Sequence, residues 1–187
     1  MMGQSLQQVP LEKSYRLLNL GATALLTTGD GKDVDVMAAA WTCALDFDKV
    51  SIVVDKTHYS RGLIERSPYF VVQIPTKQIV TTVMHVGSVS KHENPDKLEK
   101  VRTFRLDDFE GLPLVDGCAA WILCRRLAQP QLELTHDLFL GQIVRAYADE
   151  RVFEDGHWKF ESASDEMRTL HYVAGGHFYA IGDPVNI

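Results

Sequence analysis

Short runs of apolar and β-branched residues, cut at close intervals by turn-forming pairs, limit the folds open to this chain more than any other feature. Ala22 to Thr28, "ATALLTT", and Val34 to Trp41, "VDVMAAAW", flank Asp30-Gly31, which predicts a hairpin or a slightly longer loop. The whole stretch Asp33 to Phe47 reads as buried strand, although three consecutive alanines make its middle unusually small. "KVSIVVD" and "YFVVQIP" are further strand-like runs, the second stopped by Pro75. In the second half, "CAAWILCRR", "PQLEL", "HDLFLGQIVRAYAD" and a pair around Asp155-Gly156 read as strands.

Helical signals are fewer. Leu11 to Leu20 has helical apolar spacing ending at Gly21. "THYSRGLIERS" allows one or two turns, with Thr57 or Ser60 as cap. "TKQIVTTVMHVG" reads either as a helix between a Thr76 cap and Gly87, or as a strand on account of its β-branched residues. "NPDKLEKV" predicts a helix start, with Asn94 as cap, Pro95 at the first position and Asp96 in the first turn. "SDEMRTL" predicts another, capped by Ser164. These elements predict a small antiparallel barrel decorated by short helices, built as a single domain over residues 1–187 without repeat or linker.

A chain of 187 residues, 45% hydrophobic and 24% charged, suits one sizeable core. Its net charge of −6, with no long basic cluster, argues against nucleic acid or an anionic membrane as partner. The cysteines Cys43, Cys118 and Cys124 form an odd set without metal-ligand spacing, pointing to reduced thiols in the cytoplasm. No signal-peptide pattern opens the sequence, and no segment approaches the roughly 20 apolar residues that span a bilayer. The seven histidines include no HxxxH or HExxH pair, so no metal site or catalytic triad is expected. Fingerprints of the P-loop, the Rossmann turn and the nucleophile elbow are missing.

Three stretches have the composition of a binding site. "DKTHYSR" leaves a strand and enters a helix while offering Lys56, Thr57, His58, Ser60 and Arg61, a set suited either to a phosphate or to a solvated, capped turn. Gly87, Ser88 and Ser90 form a small polar link that lets backbone N–H groups approach a ligand, or simply connects two elements. Ala38, Ala39 and Ala40 leave space above a strand, for a large neighbouring side chain by packing alone, or for a flat ligand.

Taken in order, "LLTT", "VDVMAAAW", "DKTHYSR" before "FVVQIP", "GSVSKHENPDKL", "DLFLGQIV" and "LHYVAGGHFYAIGD" resemble the flavin reductase-like, FMN-binding split-barrel family, which includes flavoredoxin-type proteins. The resemblance covers most of the chain. It implies a six-stranded antiparallel split barrel of Greek-key type with short peripheral helices, and a homodimer holding FMN near the subunit interface. Met37, Ala38, Ala39, Ala40, Trp41 and Thr42 would then lie along the isoalloxazine edge. Lys56, Thr57, His58, Ser60 and Arg61 would surround the phosphate and ribityl chain, and Gly87, Ser88 and Ser90 would border the ring. The C-terminal "YVAGGHFYAIGD" would complete the pocket or the dimer contact.

Two positions depart from the family pattern. Asp35 stands where Asn is frequent, and a carboxylate there opposes the charge of a reduced flavin. Lys91 replaces the glycine of a Ser-Gly pair. The resemblance also implies hydride transfer from NADH or NADPH to flavin N5, with no acid–base residue required, and a monooxygenase or other acceptor to receive the electrons. An FMN-binding electron-transfer or redox-sensing protein that does not react with nicotinamide is the alternative.

Overall fold

The computed structural model describes residues 6–17 and 21–185. Eight strands form its main sheet: β1 (Leu6–Gln8), β2 (Ala24–Gly29), β3 (Val34–Ala39), β4 (Thr42–Asp46), β5 (Lys49–Val53), β6 (Tyr69–Pro75) and, after two short strands β7 (Thr103–Phe104) and β8 (Leu114–Val115), β9 (Cys118–Leu127) and β10 (Leu138–Asp149). Its order is β3-β2-β6-β9-β10-β5-β4, and β1 pairs with the far end of β10. Every pairing is antiparallel, and the sheet curls into a half-barrel. Two hairpins follow, β11 (Phe153–Glu154) with β12 (His157–Trp158) and β13 (Leu170–Ala174) with β14 (His177–Ala180).

Eight strands stand where six were expected, partly because Asp33 to Phe47 is not one strand. It breaks at Ala40 and Trp41, and its halves β3 and β4 occupy opposite ends of the sheet order. The Val53 N–H donates to the Trp41 carbonyl at 3.1 Å, which starts the pairing of β4 with β5.

The unbroken apolar runs reflect burial on both faces. Leu26, Val72 and Ile122 enter one cluster with Phe139 and Ile143, whereas their chain neighbours Leu25, Val71 and Leu123 enter another with Trp121. Val83 and Val86 of α2 (Val80–Ser88) close over that second cluster. Successive residues of a strand point to opposite faces, so a doubly covered sheet needs hydrophobic residues at both.

Helices differ from expectation in instructive ways. α1 (Tyr59–Arg66) has His58 at its N-cap position with no side-chain cap bond, and neither Thr57 nor Ser60 caps it. Thr76 precedes a 3-10 turn, Lys77–Ile79, but its hydroxyl donates to the Gly117 carbonyl at 2.7 Å instead of capping. "TKQIVTTVMHVG" is helical, and α2 passes through Gly87 to Ser88. "PQLEL", read as strand, belongs to α3 (Pro130–His136). Pro130 fits the first turn, where its missing N–H costs nothing, and Asp137 ends the helix in the left-handed conformation at φ 54°.

Lys97–Lys100 and Asp165–Met167 form only 3-10 turns. Asn94 Oδ1 accepts from the Asp96 N–H at 3.1 Å, a local turn rather than a helix cap, and Ser164 makes no side-chain cap bond. The N-terminal helix is a 3-10 segment, Leu11–Leu17, and the rest of its predicted span lies outside the described residues.

Candidate functional site

β3 terminates the sheet, so one backbone edge faces away from β2 and pairs with no other strand among the described residues. α1 and α2 both pack against it. Gly87 allows the close approach of α2, because a Cβ at that position would sit 3.0 Å from the Ala38 Cβ. Two cavities open along this edge and share Ala38, Gly87 and Ser88.

The first, of about 230 Å³, is the more polar of the two: Asp35, His58, Ser60, Ser90, Lys91 and Lys97 line it beside Met37 and Val86. The second, of about 240 Å³, is mostly apolar, walled by Ala39, Ala40, Val83, Met84, Tyr172 and Phe178. The two aromatic residues come from the β13–β14 hairpin, which is tied down where the Tyr172 N–H donates to Thr23 Oγ1 at 2.9 Å.

Charge in the polar cavity is compensated pair by pair. Lys97 Nζ donates to Asp35 Oδ1 at 3.0 Å, and both side chains are only 2% exposed. The Ser60 hydroxyl donates to Asp35 Oδ2 at 2.6 Å. Asp33 accepts from Lys91, from the Tyr59 hydroxyl and from the Val34 N–H. Burial pushes the Asp33 carboxyl upward, yet these hydrogen bonds and the Lys91 charge outweigh it and hold the group below the usual carboxylate range. The bond to Asp33 in turn raises the Tyr59 phenol. Lys91 also donates to the Val34 carbonyl at 2.9 Å, so the loop after α2 is fastened to the open edge of β3.

Of the residues singled out in the sequence, Met37, Ala38, His58, Ser60, Gly87, Ser88 and Ser90 line the polar cavity. Ala38, Ala39, Ala40, Gly87 and Ser88 line the apolar one. Trp41, Thr42, Lys56, Thr57 and Arg61 fall outside both. Thr57 is exposed and braces its own turn, its N–H and hydroxyl both donating to Asp55 Oδ1. Lys56 is exposed.

Arg61 is nearly buried on another side of α1, where it donates to the carbonyls of Val54 at 2.9 Å and Glu133 at 2.7 Å, to Glu65 and to Asp137. Those bonds engage its guanidinium in joining α1 to α3.

Asp35, a departure from the family pattern, lines the more polar cavity together with Lys97, which nothing in the sequence marks as a cavity residue. Sixty-two positions separate the pair, and no local spacing signals it. A larger cavity, about 380 Å³, lies between the β2–β3 turn and residues 110–113, but none of the expected site residues lines it. Among the described residues, no cluster of three or more potential metal-ligating side chains occurs, and no helix is long and apolar enough to cross a membrane.

Residues 20–180 match the model of the flavin reductase like domain. The chain is 37% identical over 183 residues to the uncharacterized protein YddH of Escherichia coli K12, with 95% of each chain covered. It superposes on the FMN-binding domain of a flavin reductases-like enzyme from Shewanella baltica OS155 with a TM-score of 0.96, 41% identity and full coverage of both chains. Flavoredoxin of Desulfovibrio vulgaris (Miyazaki F) shares the fold at a TM-score of 0.72 and 21% identity, over 89% of each chain. The matched residues include β3, α1, α2 and the β13–β14 hairpin, which line the two cavities, and the chain belongs to the flavin reductase-like family.

Proposed function

We propose that the protein binds FMN along the open edge of β3 and acts as an NAD(P)H-dependent flavin oxidoreductase. The supporting observation is the joining of an apolar cavity floored by alanines to a polar cavity containing a buried lysine. FMN has the same two-part character, a flat ring carrying a polyhydroxyl chain and phosphate.

Ala38, Ala40 and Gly87 give the ring clearance, since larger side chains would occupy its plane. His58, Ser60, Ser88, Ser90 and Lys97 face the polar chain, and exposed Lys56 adds a cation just before α1. When bound, FMN supplies the redox chemistry by accepting hydride at its N5. The protein residues bind and orient the rings and exclude water, so proximity provides the acceleration.

FMN at 100 times its Kd should stabilise the protein by about 2.7 kcal/mol. For a chain of this length that raises Tm by about 5–10 °C. Anaerobic mixing with NADH and NADPH should bleach the oxidised-flavin absorbance. Uptake of FMN with no bleaching by either donor would favour an electron-transfer flavoprotein, whereas no uptake would exclude both roles.

The functional unit in this proposal is a homodimer. Cys43 and Leu45 alternate along β4, the other terminal strand of the sheet order, with Trp41 just before it and Phe47 in the turn after it. Trp41, Leu45 and Phe47 are 74%, 54% and 64% exposed. Such a row is suited to burial by a second copy, which would also cover the nearby Ala40 side of the apolar cavity. Trp41→Glu combined with Leu45→Lys should convert a dimer to a monomer in sedimentation equilibrium. An unchanged mass would place any dimer contact elsewhere. The free thiols of Cys43, Cys118 and Cys124 agree with a cytoplasmic setting.

A further inference from the structure

We infer that Asp35 and Lys97 form a compensated pair that sets the reduction potential of the bound flavin, Asp35 acting as a positioning residue for the Lys97 ammonium. This inference rests on the FMN-binding reading above. The two charges line the cavity beside β3, 3.0 Å apart and almost fully withdrawn from solvent.

Lys97 is held at both ends, because His85 Nε2 donates to its backbone carbonyl at 2.8 Å while Asp35 holds its ammonium. Ser60 occupies the other carboxylate oxygen. The ammonium has three donors, and only the bond to Asp35 engages it among the described residues. A buried ion pair stabilises a fold poorly compared with apolar residues of the same size, which points to a role in the cavity.

Adding two electrons and one proton to the oxidised flavin leaves its ring one charge more negative. Within a protein of low effective dielectric, Lys97 favours that change and Asp35 opposes it. The other ionised pair at this cavity, Lys91 with Asp33, is already compensated, and His58 is exposed. The potential therefore responds to each member of the buried pair with opposite sign. Removing the Asp35 charge leaves an uncompensated ammonium and raises the potential; removing the Lys97 charge lowers it.

The test compares FMN-loaded wild type with Asp35→Asn, Lys97→Gln, Lys97→Arg and the Asp35→Asn/Lys97→Gln double variant. Potentials are read by anaerobic dithionite reduction against a reference dye. Asp35→Asn should increase the preference for reduced over oxidised flavin about tenfold, an upward shift of about 30 mV for a two-electron couple. Lys97→Gln should produce a downward shift of similar size. Lys97→Arg and the double variant should return close to wild type.

Should either single variant fail to fold because it leaves a buried charge unpaired, the other one decides the matter by the sign of its shift, with Lys97→Arg and the double variant, which leave none, as references. Shifts of the same sign in both single variants, as a loosened pocket admitting water would produce, would overturn the inference. An unchanged potential in Asp35→Asn would do the same. Failure of the wild type to take up FMN would instead remove the cofactor reading on which the inference stands.

Discussion

Ala38→Leu is expected to weaken FMN binding at least about 100-fold, a loss of about 2.7 kcal/mol, while leaving the protein folded. Ala38 belongs to the wall of both cavities and lies opposite Gly87. A leucine there would place its branched carbons where the flat ring must approach the strand. A ring in van der Waals contact lies about 3.5–4 Å from the atoms beneath it, which leaves no room for a second layer of side chain. Ala38 packs on the edge of the core beside Gly87, but it is half-buried and borders both cavities, so the added carbons can turn into open space.

Ala39→Leu is the informative contrast. Ala39 is buried in the core cluster on the other face of the strand, so the added volume should lower Tm. Titration by quenching of FMN fluorescence, paired with thermal melts followed by circular dichroism, separates the two effects. Wild-type affinity in a folded Ala38→Leu protein would move the ring away from β3.

Gly141→Val should produce the largest loss of stability, beyond the roughly 1–3 kcal/mol typical of an overpacked core. Gly141 lies within β10, between β9 and β5, where it pairs with Arg126 and Val50. A Cβ there would lie 2.5 Å from Phe70 Cζ and 2.8 Å from the Cys124 Cβ. Both neighbours are fully buried, and the Cys124 Cβ is fixed to its own backbone, so one of the packed strands must move.

Even Gly141→Ala should lower Tm by several degrees, at about 2–4 °C per kcal/mol for a chain of this size. Gly182→Ala provides the control, because no atom lies within 4 Å of the position its Cβ would take. Equal melting temperatures for the Gly141→Ala and Gly182→Ala variants would show that β10 has slack absent from the described packing.

The local part of the fold was legible because its causes are local. β-branched runs and the Asp30-Gly31 and Asp155-Gly156 turns marked the strands and hairpins with little need of tertiary information. "PQLEL" failed because five residues of mixed polarity satisfy a strand and a helix equally well. The balance was set by Pro130 at the helix start and by the Asp137 terminus. Gly87 was placed at a helix end on the usual preference of glycine for that position, whereas its missing side chain serves the contact with Ala38.

The same division runs through the site. Small residues at Ala38, Ala39 and Ala40, and the polar set at His58, Ser60, Ser88 and Ser90, were recognisable in the sequence because each group is contiguous or nearly so. Arg61 shared that neighbourhood but not its direction, since the turn of α1 carries it toward Val54, Glu133 and Asp137. By itself, the sequence determined the family, the strand-rich character and part of the cavity lining, all of which depend on local pattern or ordered motifs. Only the tertiary structure decided that Asp35 meets Lys97, that Arg61 joins α1 to α3, and that one alanine-rich stretch feeds both ends of the sheet. Each depends on how a curled sheet and its covering helices bring distant residues together, and charge compensation in a buried cavity is a property of that meeting.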